Sequence, residues 1–123
     1  MIAGAHMLVY ANDAQAARAF FRDVLGWRNV DAGDGWLIFA LPPAELGVHP
    51  ADPEQPSGTH QLLLMCHDIE QTVEELEAKG VEFVSPVSDA GFGLITRLRL
   101  PGGGELGLYQ PKHASPLDEF STS

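Results

Sequence analysis

The chain has 123 residues, the size of a single domain that can bury its own core. Its 17 acidic and 7 basic residues give a net charge of −10, which argues against nucleic acid or an anionic membrane surface as a partner. The start, MIAGAHMLVYAND, lacks the charged and apolar regions of a signal peptide, and no apolar run is long enough for a membrane span. We therefore expect a soluble, cytoplasmic protein.

The first half of the sequence predicts a strand, a helix and three further strands. HMLVY (6–10) is typical of a strand, and Asn12 or Asp13 can cap the helix that follows. The apolar residues of this helix recur at helical spacing: Ala17, Phe20, Phe21, Val24 and Leu25. A strand, the turn DAGDG (31–35), a second strand, a proline turn and the Glu-Leu-Gly strand that begins at Glu45 complete this half.

The second half repeats this order. QLLLMC (61–66) predicts a strand, Asp68 caps a helix, and the turn DAGFG (89–93) precedes a second Glu-Leu-Gly strand at Glu105. The offsets between equivalent positions are 68 − 13 = 55, 89 − 31 = 58 and 105 − 45 = 60. Each half is thus β-α-β-β-β, which predicts an α+β fold: two tandem βαβββ modules with pseudo-two-fold symmetry form a half-open mixed β-barrel around a cavity.

The domain boundaries follow from this repeat. We expect one domain over residues 1–123, with module one at 4–50 and module two at 60–111. The segment ADPEQPSGT (51–59) is rich in proline and polar residues, which is typical of a linker. The tail at 112–123 is expected to be flexible.

The repeated glutamates are the main candidate site residues. Strand alternation puts Glu45 and His49 on one face, and Glu105 and Tyr109 on the equivalent face of the other module. An ionised glutamate inside a cavity is costly unless a cation neutralises it, which favours a metal site. The alternative is that both glutamates are solvated on edge strands. His49 is a candidate proton shuttle or alternative ligand.

These residues carry a resemblance to a known family. The run from His6 to Tyr10, the helix Ala17-Arg-Ala-Phe-Phe-Arg-Asp-Val-Leu-Gly26 and the paired Glu-Leu-Gly strands resemble the vicinal oxygen chelate superfamily over residues 4–111. That superfamily includes glyoxalase I, bleomycin-resistance proteins and extradiol dioxygenases. The resemblance implies a divalent metal, Zn, Ni, Mn or Fe, held at four cavity positions. Those positions are His6, Glu45, Gln61 and Glu105.

The third ligand position has two candidates. His6 precedes Asp13 by 13 − 6 = 7 residues, and the same count back from Asp68 gives 68 − 7 = 61, which is Gln61. His60 is one residue earlier, and neighbouring residues of a strand face opposite sides. Gln61 would complete a glyoxalase-like set, whereas His60 would give the two-histidine, one-carboxylate set of non-haem iron dioxygenases. The spacing favours Gln61.

Four aromatic residues are candidates for the wall of a substrate pocket, although each has core or loop packing as its alternative: Trp27, Trp36, Phe92 and Tyr109. The single cysteine, Cys66, lies in the apolar run LLLMC and is expected to be a buried, unreactive thiol.

The resemblance implies two classes of function for a small-molecule partner. In the first, a glyoxalase-like lyase or isomerase, the metal binds adjacent oxygens of the substrate and Glu45 or Glu105 moves a proton on the neighbouring carbon. In the second, similar to bleomycin-resistance proteins, the cavity binds a drug without metal or turnover. A non-haem iron dioxygenase is a further alternative. The resemblance also implies a C2 homodimer with cavities built from both chains.

Overall fold

The computed structural model of the chain describes residues 1 and 3–120, and these form an α+β fold with two sheets. The helical elements are α1 (Ala14–Ala19), which continues into a π-helical turn (Phe20–Val24), α2 (Ile69–Ala78) and a 3-10 turn (Asp118–Phe120). The strands are β1 (Asn29–Asp31), β2 (Leu37–Phe39), β3 (Leu63–Met65), β4 (Ser88–Asp89), β5 (Gly93–Arg99) and β6 (Glu105–Pro111). The α+β prediction is confirmed. In this described part, no helix is long and apolar enough to cross a membrane.

The second half contains the larger sheet, with the strand order β3-β6-β5-β4. β3 runs parallel to β6 with Leu63 opposite Gly107, and the other neighbours are antiparallel. Because α2 follows β3 directly, this half has the predicted β-α-β-β-β order.

The first half forms a smaller sheet than the sequence predicts. β1 and β2 pair antiparallel with Asn29 opposite Phe39, but residues 6–10 and 45–49 belong to no strand. The single chain therefore lacks two predicted strands. A strand is stabilised by hydrogen bonds to a neighbour, and these exposed segments have no neighbouring strand in the described residues. The tandem symmetry and the barrel remain predictions.

Both helices begin at the predicted capping residues. The Asp13 carboxylate accepts a hydrogen bond from the Ala16 main-chain nitrogen at 3.1 Å, and the Asp68 carboxylate accepts one from Gln71 nitrogen at 3.1 Å. An aspartate at this position satisfies a main-chain N–H group that the helix itself leaves unpaired. The sequence is therefore sufficient to place these two helix starts.

The core joins the helices to the two central strands of the larger sheet. Ile69 of α2 and Leu98 of β5 are completely buried. The other buried members of this core cluster are Ala17, Phe20, Phe21, Leu76, Val81, Leu100, Leu106 and Leu108. Cys66 packs half-buried against the core, and burial raises the pKa of its thiol, which keeps the thiol protonated and unreactive near neutral pH.

The glycine-rich turn between β5 and β6 packs against the start of α1. The Gly102 carbonyl accepts a hydrogen bond from the Asp13 main-chain nitrogen at 2.9 Å. Gly102 has a φ of +96°, and a Cβ atom there would collide with the Asp13 carbonyl oxygen. Only glycine satisfies both requirements, so this turn of the second half is fitted to the helix of the first.

Candidate functional site

The Glu45 carboxylate is held by side chains from the C-terminal end of the chain. Ser115 Oγ donates a hydrogen bond to Glu45 Oε1 at 2.8 Å, and His113 Nε2 lies 3.7 Å from Glu45 Oε2. Ser115 Oγ also accepts a hydrogen bond from the Leu117 main-chain nitrogen at 3.1 Å. Only 18% of the Glu45 side chain is exposed, although its neighbours in the segment 41–50 are exposed. Glu45 is therefore the one residue of this segment that is not solvent-exposed.

Three rings form a series next to this carboxylate, and we call them the ring cluster: His49, Phe92 and Tyr109; the ring of His113, from the C-terminal end, lies against Tyr109. The ring centroids are 6.3 Å apart from His49 to Phe92, 5.7 Å from Phe92 to Tyr109 and 5.7 Å from Tyr109 to His113. The first two contacts are edge-to-face, a geometry that aromatic pairs prefer. Tyr109 itself is buried, whereas Phe92 leaves 45% of its surface open to solvent.

The position of the Tyr109 ring depends on strand alternation in β6 and on the absence of a side chain at Gly93. It lies on β6, and its ring covers Gly93 at the start of β5. A Cβ atom at Gly93 would collide with the Tyr109 ring and would approach the Gln110 carbonyl oxygen to 2.7 Å. Glycine at this position therefore lets the ring lie flat against the sheet.

Burial and the charge on Glu45 together raise the pKa of the Tyr109 side chain. The pKa of the Tyr109 phenol is raised above its ordinary value, first because the ring is buried and second because the Glu45 carboxylate opposes a second negative charge nearby. Tyr109 thus remains a neutral hydroxyl across the physiological pH range, and the site carries the negative charge on Glu45 alone.

Residues 112–120 cross this site and are called the C-terminal strap below. At one end, Lys112 Nζ pairs with Asp89 Oδ2 at 2.6 Å, and the Lys112 main-chain nitrogen donates to the Phe92 carbonyl oxygen at 2.9 Å. At the other end, the Phe120 ring stacks on His67, with centroids 4.5 Å apart and planes 14° apart. Between these two contacts the strap brings His113 and Ser115 to Glu45.

The predicted site residues divide into two groups. Glu45, His49, Phe92 and Tyr109 come together in the arrangement just described. The four remaining metal-ligand candidates are exposed and make none of the contacts described above for Glu45: His6, His60, Gln61 and Glu105. Gln61 Nε2 instead donates to Gln55 Oε1 at 2.8 Å.

The residues present in the single chain do not fit a metal ion. Within residues 1 and 3–120, no three histidine, cysteine, aspartate or glutamate side chains converge. The Glu45 oxygens face a serine hydroxyl and an imidazole of the strap rather than the other predicted ligands. The metal-ligand role of His6, Gln61 and Glu105 therefore remains a prediction, and so does the choice between Gln61 and His60.

The two tryptophans lie elsewhere in the first half. Trp27 stacks on Phe21, with centroids 5.1 Å apart, and packs against the core. Trp36 is 61% exposed, and the Arg18 guanidinium lies 4.5 Å from its ring centroid. For Trp27 the contacts match the core alternative rather than a pocket wall.

His113 and Ser115 are the site residues that sequence reasoning missed. Both lie in a polar tail whose composition is typical of a flexible end, so their residue types gave no sign of a site. The one available signal was their closeness in sequence to Tyr109, since a chain leaving β6 must pass near the strand's exposed face.

Two open grooves lie away from the ring cluster. One, of about 550 Å³, is bordered by α2 and the segment 83–87, and the other, of about 350 Å³, is bordered by Phe20 and the segment 79–82. Neither is lined by a predicted site residue, so the ring cluster remains the candidate functional site.

The fold is similar to several solved structures. TnmS3, an antibiotic binding protein from Streptomyces sp. CB03234, is 24% identical with a TM-score of 0.60, over 91% of this chain and 100% of that one. A lactoylglutathione lyase from Agrobacterium tumefaciens is 18% identical with a TM-score of 0.54, over 88% and 92% of the two chains. A member of the glyoxalase/bleomycin resistance protein/dioxygenase superfamily from Sphaerobacter thermophilus is 21% identical with a TM-score of 0.61, over 89% of this chain and 98% of that one.

No curated protein matches the chain. The model of the Glyoxalase/Bleomycin resistance protein/Dioxygenase superfamily, however, matches residues 4–104, which is most of the sequence. The chain therefore belongs to the glyoxalase/bleomycin resistance protein/dioxygenase superfamily.

Proposed function

We propose that this protein binds a small aromatic molecule that carries a positive charge, without turnover, and that Glu45 and the ring cluster form the binding site. The observation that carries the proposal is the series of contacts among His49, Phe92 and Tyr109 beside one half-buried carboxylate. Aromatic pairs contribute about 0.5 to 1.5 kcal/mol beyond their buried area, so several rings can hold a flat ligand.

Charge supports the same choice of ligand. A carboxylate forms its strongest hydrogen bonds with cationic or N–H donors, and Glu45 is the charged group of the site. The net charge of −10 also raises the local concentration of cations and repels anions. Antibiotic binding by TnmS3, a protein of the same fold, is in keeping with this proposal.

A fluorescence titration with proflavine, a planar cationic dye, tests the proposal. Glu45→Gln should weaken binding by roughly 10- to 150-fold, because a charge-assisted contact contributes roughly 1.5 to 3 kcal/mol. Phe92→Ala should weaken it by a smaller factor through loss of ring contact. Glu74→Gln, the same change on an exposed residue of α2, is the matched control. Equal affinities for all four proteins, or preference for the anionic dye anilinonaphthalene sulfonate, would refute the proposal.

The metal-dependent lyase or isomerase remains a separate hypothesis, in which His6, Glu45, Gln61 and Glu105 would hold the ion. It requires these residues to come together, which the single chain does not do. No catalytic step is therefore derived through a metal. Thermal melts with added Zn, Ni or Mn test it: a rise in Tm that Gln61→Ala abolishes would favour the lyase over the binding protein. If His60→Ala abolishes it instead, the dioxygenase set is favoured.

We also propose that two copies form a C2 homodimer. The segments that the sequence predicts as strands at 6–10 and 45–49 carry large exposed apolar side chains: Leu8 at 64%, Tyr10 at 85%, Leu46 at 89% and Val48 at 87% exposure. A second copy offers main-chain partners and apolar contact to both segments at once. Light scattering at micromolar concentration should give twice the monomer mass, and a monomer would refute this proposal.

A further inference from the structure

The C-terminal strap occupies the part of the site where a ligand would have to lie. Its His113 ring lies against Tyr109, and its Ser115 hydroxyl donates a hydrogen bond to a Glu45 carboxylate oxygen. We propose that the strap is an internal ligand of the ring cluster, and that a bound molecule replaces His113 with a cationic or N–H-donating heteroaromatic ring of its own. This inference rests on the proposed function, because it concerns the same site.

The orientation of His113 supports its role as an occupant. Its Nδ1 atom lies 2.7 Å from the Ala114 carbonyl oxygen, and because a carbonyl oxygen only accepts, Nδ1 is the donor. The other nitrogen, Nε2, lies 3.7 Å from Glu45 Oε2, and the ring centroid lies 5.7 Å from that of Tyr109, with the two planes tilted by 36°. An imidazole thus already lies against both the carboxylate and the aromatic wall.

The contacts between the strap and Glu45 are weak enough for a ligand to replace them. The His113 to Glu45 distance of 3.7 Å is too long for a hydrogen bond. The Lys112 to Asp89 pair is solvent-exposed on both sides, and exposed ion pairs add little to stability. One direct hydrogen bond, from Ser115, holds the strap to Glu45. The Lys112 main chain and the Phe120 ring hold the two ends of the strap. Only its middle has to leave Glu45 for a ligand to enter, and such a local opening has a low free-energy cost.

The position of His113 also narrows the ligand class. A group that replaces it must offer an aromatic face to Tyr109 and an N–H or positive charge to Glu45. Protonated nitrogen heterocycles such as imidazoles, pyridines and aminoacridines have both features, whereas neutral hydrocarbons and anionic aromatics lack the second.

The first experiment measures proflavine affinity in a variant with a loosened strap. Ser115→Ala removes the hydrogen bond to Glu45, which is worth about a fivefold change in the closed population. Because an internal competitor lowers apparent affinity, Ser115→Ala should bind proflavine about fivefold more tightly than the unchanged protein. Ser57→Ala, the same change on an exposed serine far from the strap in sequence, is the control and should not differ. Weaker binding by Ser115→Ala would overturn the inference, since the strap would then be part of the binding wall.

The second experiment detects the strap directly by limited trypsin digestion. Cleavage after Lys112 releases residues 113–123, and intact mass identifies this product. Ser115→Ala should be cleaved there about fivefold faster, and saturating proflavine should speed cleavage of the unchanged protein, because both increase the open population. Glu45-dependent proflavine binding without faster cleavage would overturn the inference and leave the proposed function standing. Failure of both the unchanged protein and Ser115→Ala to bind proflavine would overturn the proposed function and the inference with it.

Discussion

Substituting Gly93 by alanine should damage both the stability of the protein and its candidate site. The added Cβ would lie 2.7 Å from the Gln110 carbonyl oxygen and 2.9 Å from Tyr109 Cδ2, and it would be closer still to Tyr109 Cε2. The Tyr109 ring could rotate away, but the Gln110 oxygen belongs to the main chain of β6 and can move only with the strand. Relief of the clash therefore requires a shift of the β5-β6 pair.

The expected cost lies in the upper part of the range for overpacking. Adding a methyl group to a well-packed position costs about 1 to 3 kcal/mol, and a main-chain obstacle favours 2 to 3 kcal/mol at Gly93. For a chain of this size that loss lowers Tm by roughly 6 to 12 °C. Displacement of Tyr109 should also weaken proflavine binding, because its ring would lose its edge-to-face contact with Phe92 in the ring cluster.

Differential scanning calorimetry and the proflavine titration measure the two effects. Gly4→Ala is the matched control, since a Cβ atom at Gly4 has no neighbour within 4 Å and its main chain is not in the left-handed region. If Gly93→Ala has the same Tm as Gly4→Ala, the Tyr109 ring does not lie on Gly93. The geometry argued for the ring cluster would then be wrong.

Three further predictions follow from single contacts. Leu98→Ala should cost about 2 to 5 kcal/mol in urea denaturation because Leu98 is completely buried, and a loss below 1 kcal/mol would contradict its place in the core. Burial and then the charge on Glu45 raise the pKa of Tyr109, so stability from this group is present below about pH 10 and is lost as the pH rises through the folded pKa. Glu45→Gln should lower the pKa of Tyr109 in a phenolate absorbance titration. An unchanged midpoint would show that the Glu45 charge does not act on the Tyr109 phenol. The hydrogen bond from Lys112, followed by that from the Gly91 main chain, lowers the pKa of Asp89, so its contribution is present above about pH 4 and is lost as the pH falls through the folded pKa. Lys112→Met should flatten this acid dependence in thermal melts between about pH 4 and pH 2, and an unchanged slope would refute the pairing.

Local signals in the sequence were sufficient for the helices and for part of the site. Asp13 and Asp68 cap helices because their side chains reach main-chain groups three residues away. Helical hydrogen bonds connect residues close in sequence, so composition and spacing contain most of the information. Glu45 and His49 were both predicted as candidates, and both contact the candidate site, but residues 45–49 form no strand, so the alternation argument behind them stays a prediction.

Features that depend on distant partners could not be predicted in this way. The strand signal at 6–10 is real in composition, but a strand forms only where another strand pairs with it, and no spacing rule supplies that partner. The contact between Ser115 and Glu45 joins residues 70 positions apart. A polar tail can have the same composition whether or not it packs against the fold. Only the three-dimensional course of the chain distinguishes the two cases.

The fit of Gly102 against Asp13 also constrains the order of events during synthesis. The two residues are 102 − 13 = 89 positions apart, so the helix start leaves the ribosome long before the turn that packs on it exists. At roughly 5 to 20 residues per second this delay is about 4 to 18 s. A six-residue helix is not stable by itself in water, so α1 must remain largely unformed during that interval. The amino-terminal half thus completes its fold only after the carboxy-terminal half has been made, and nascent chains stopped before residue 102 should expose Phe20 and Phe21 to chaperones.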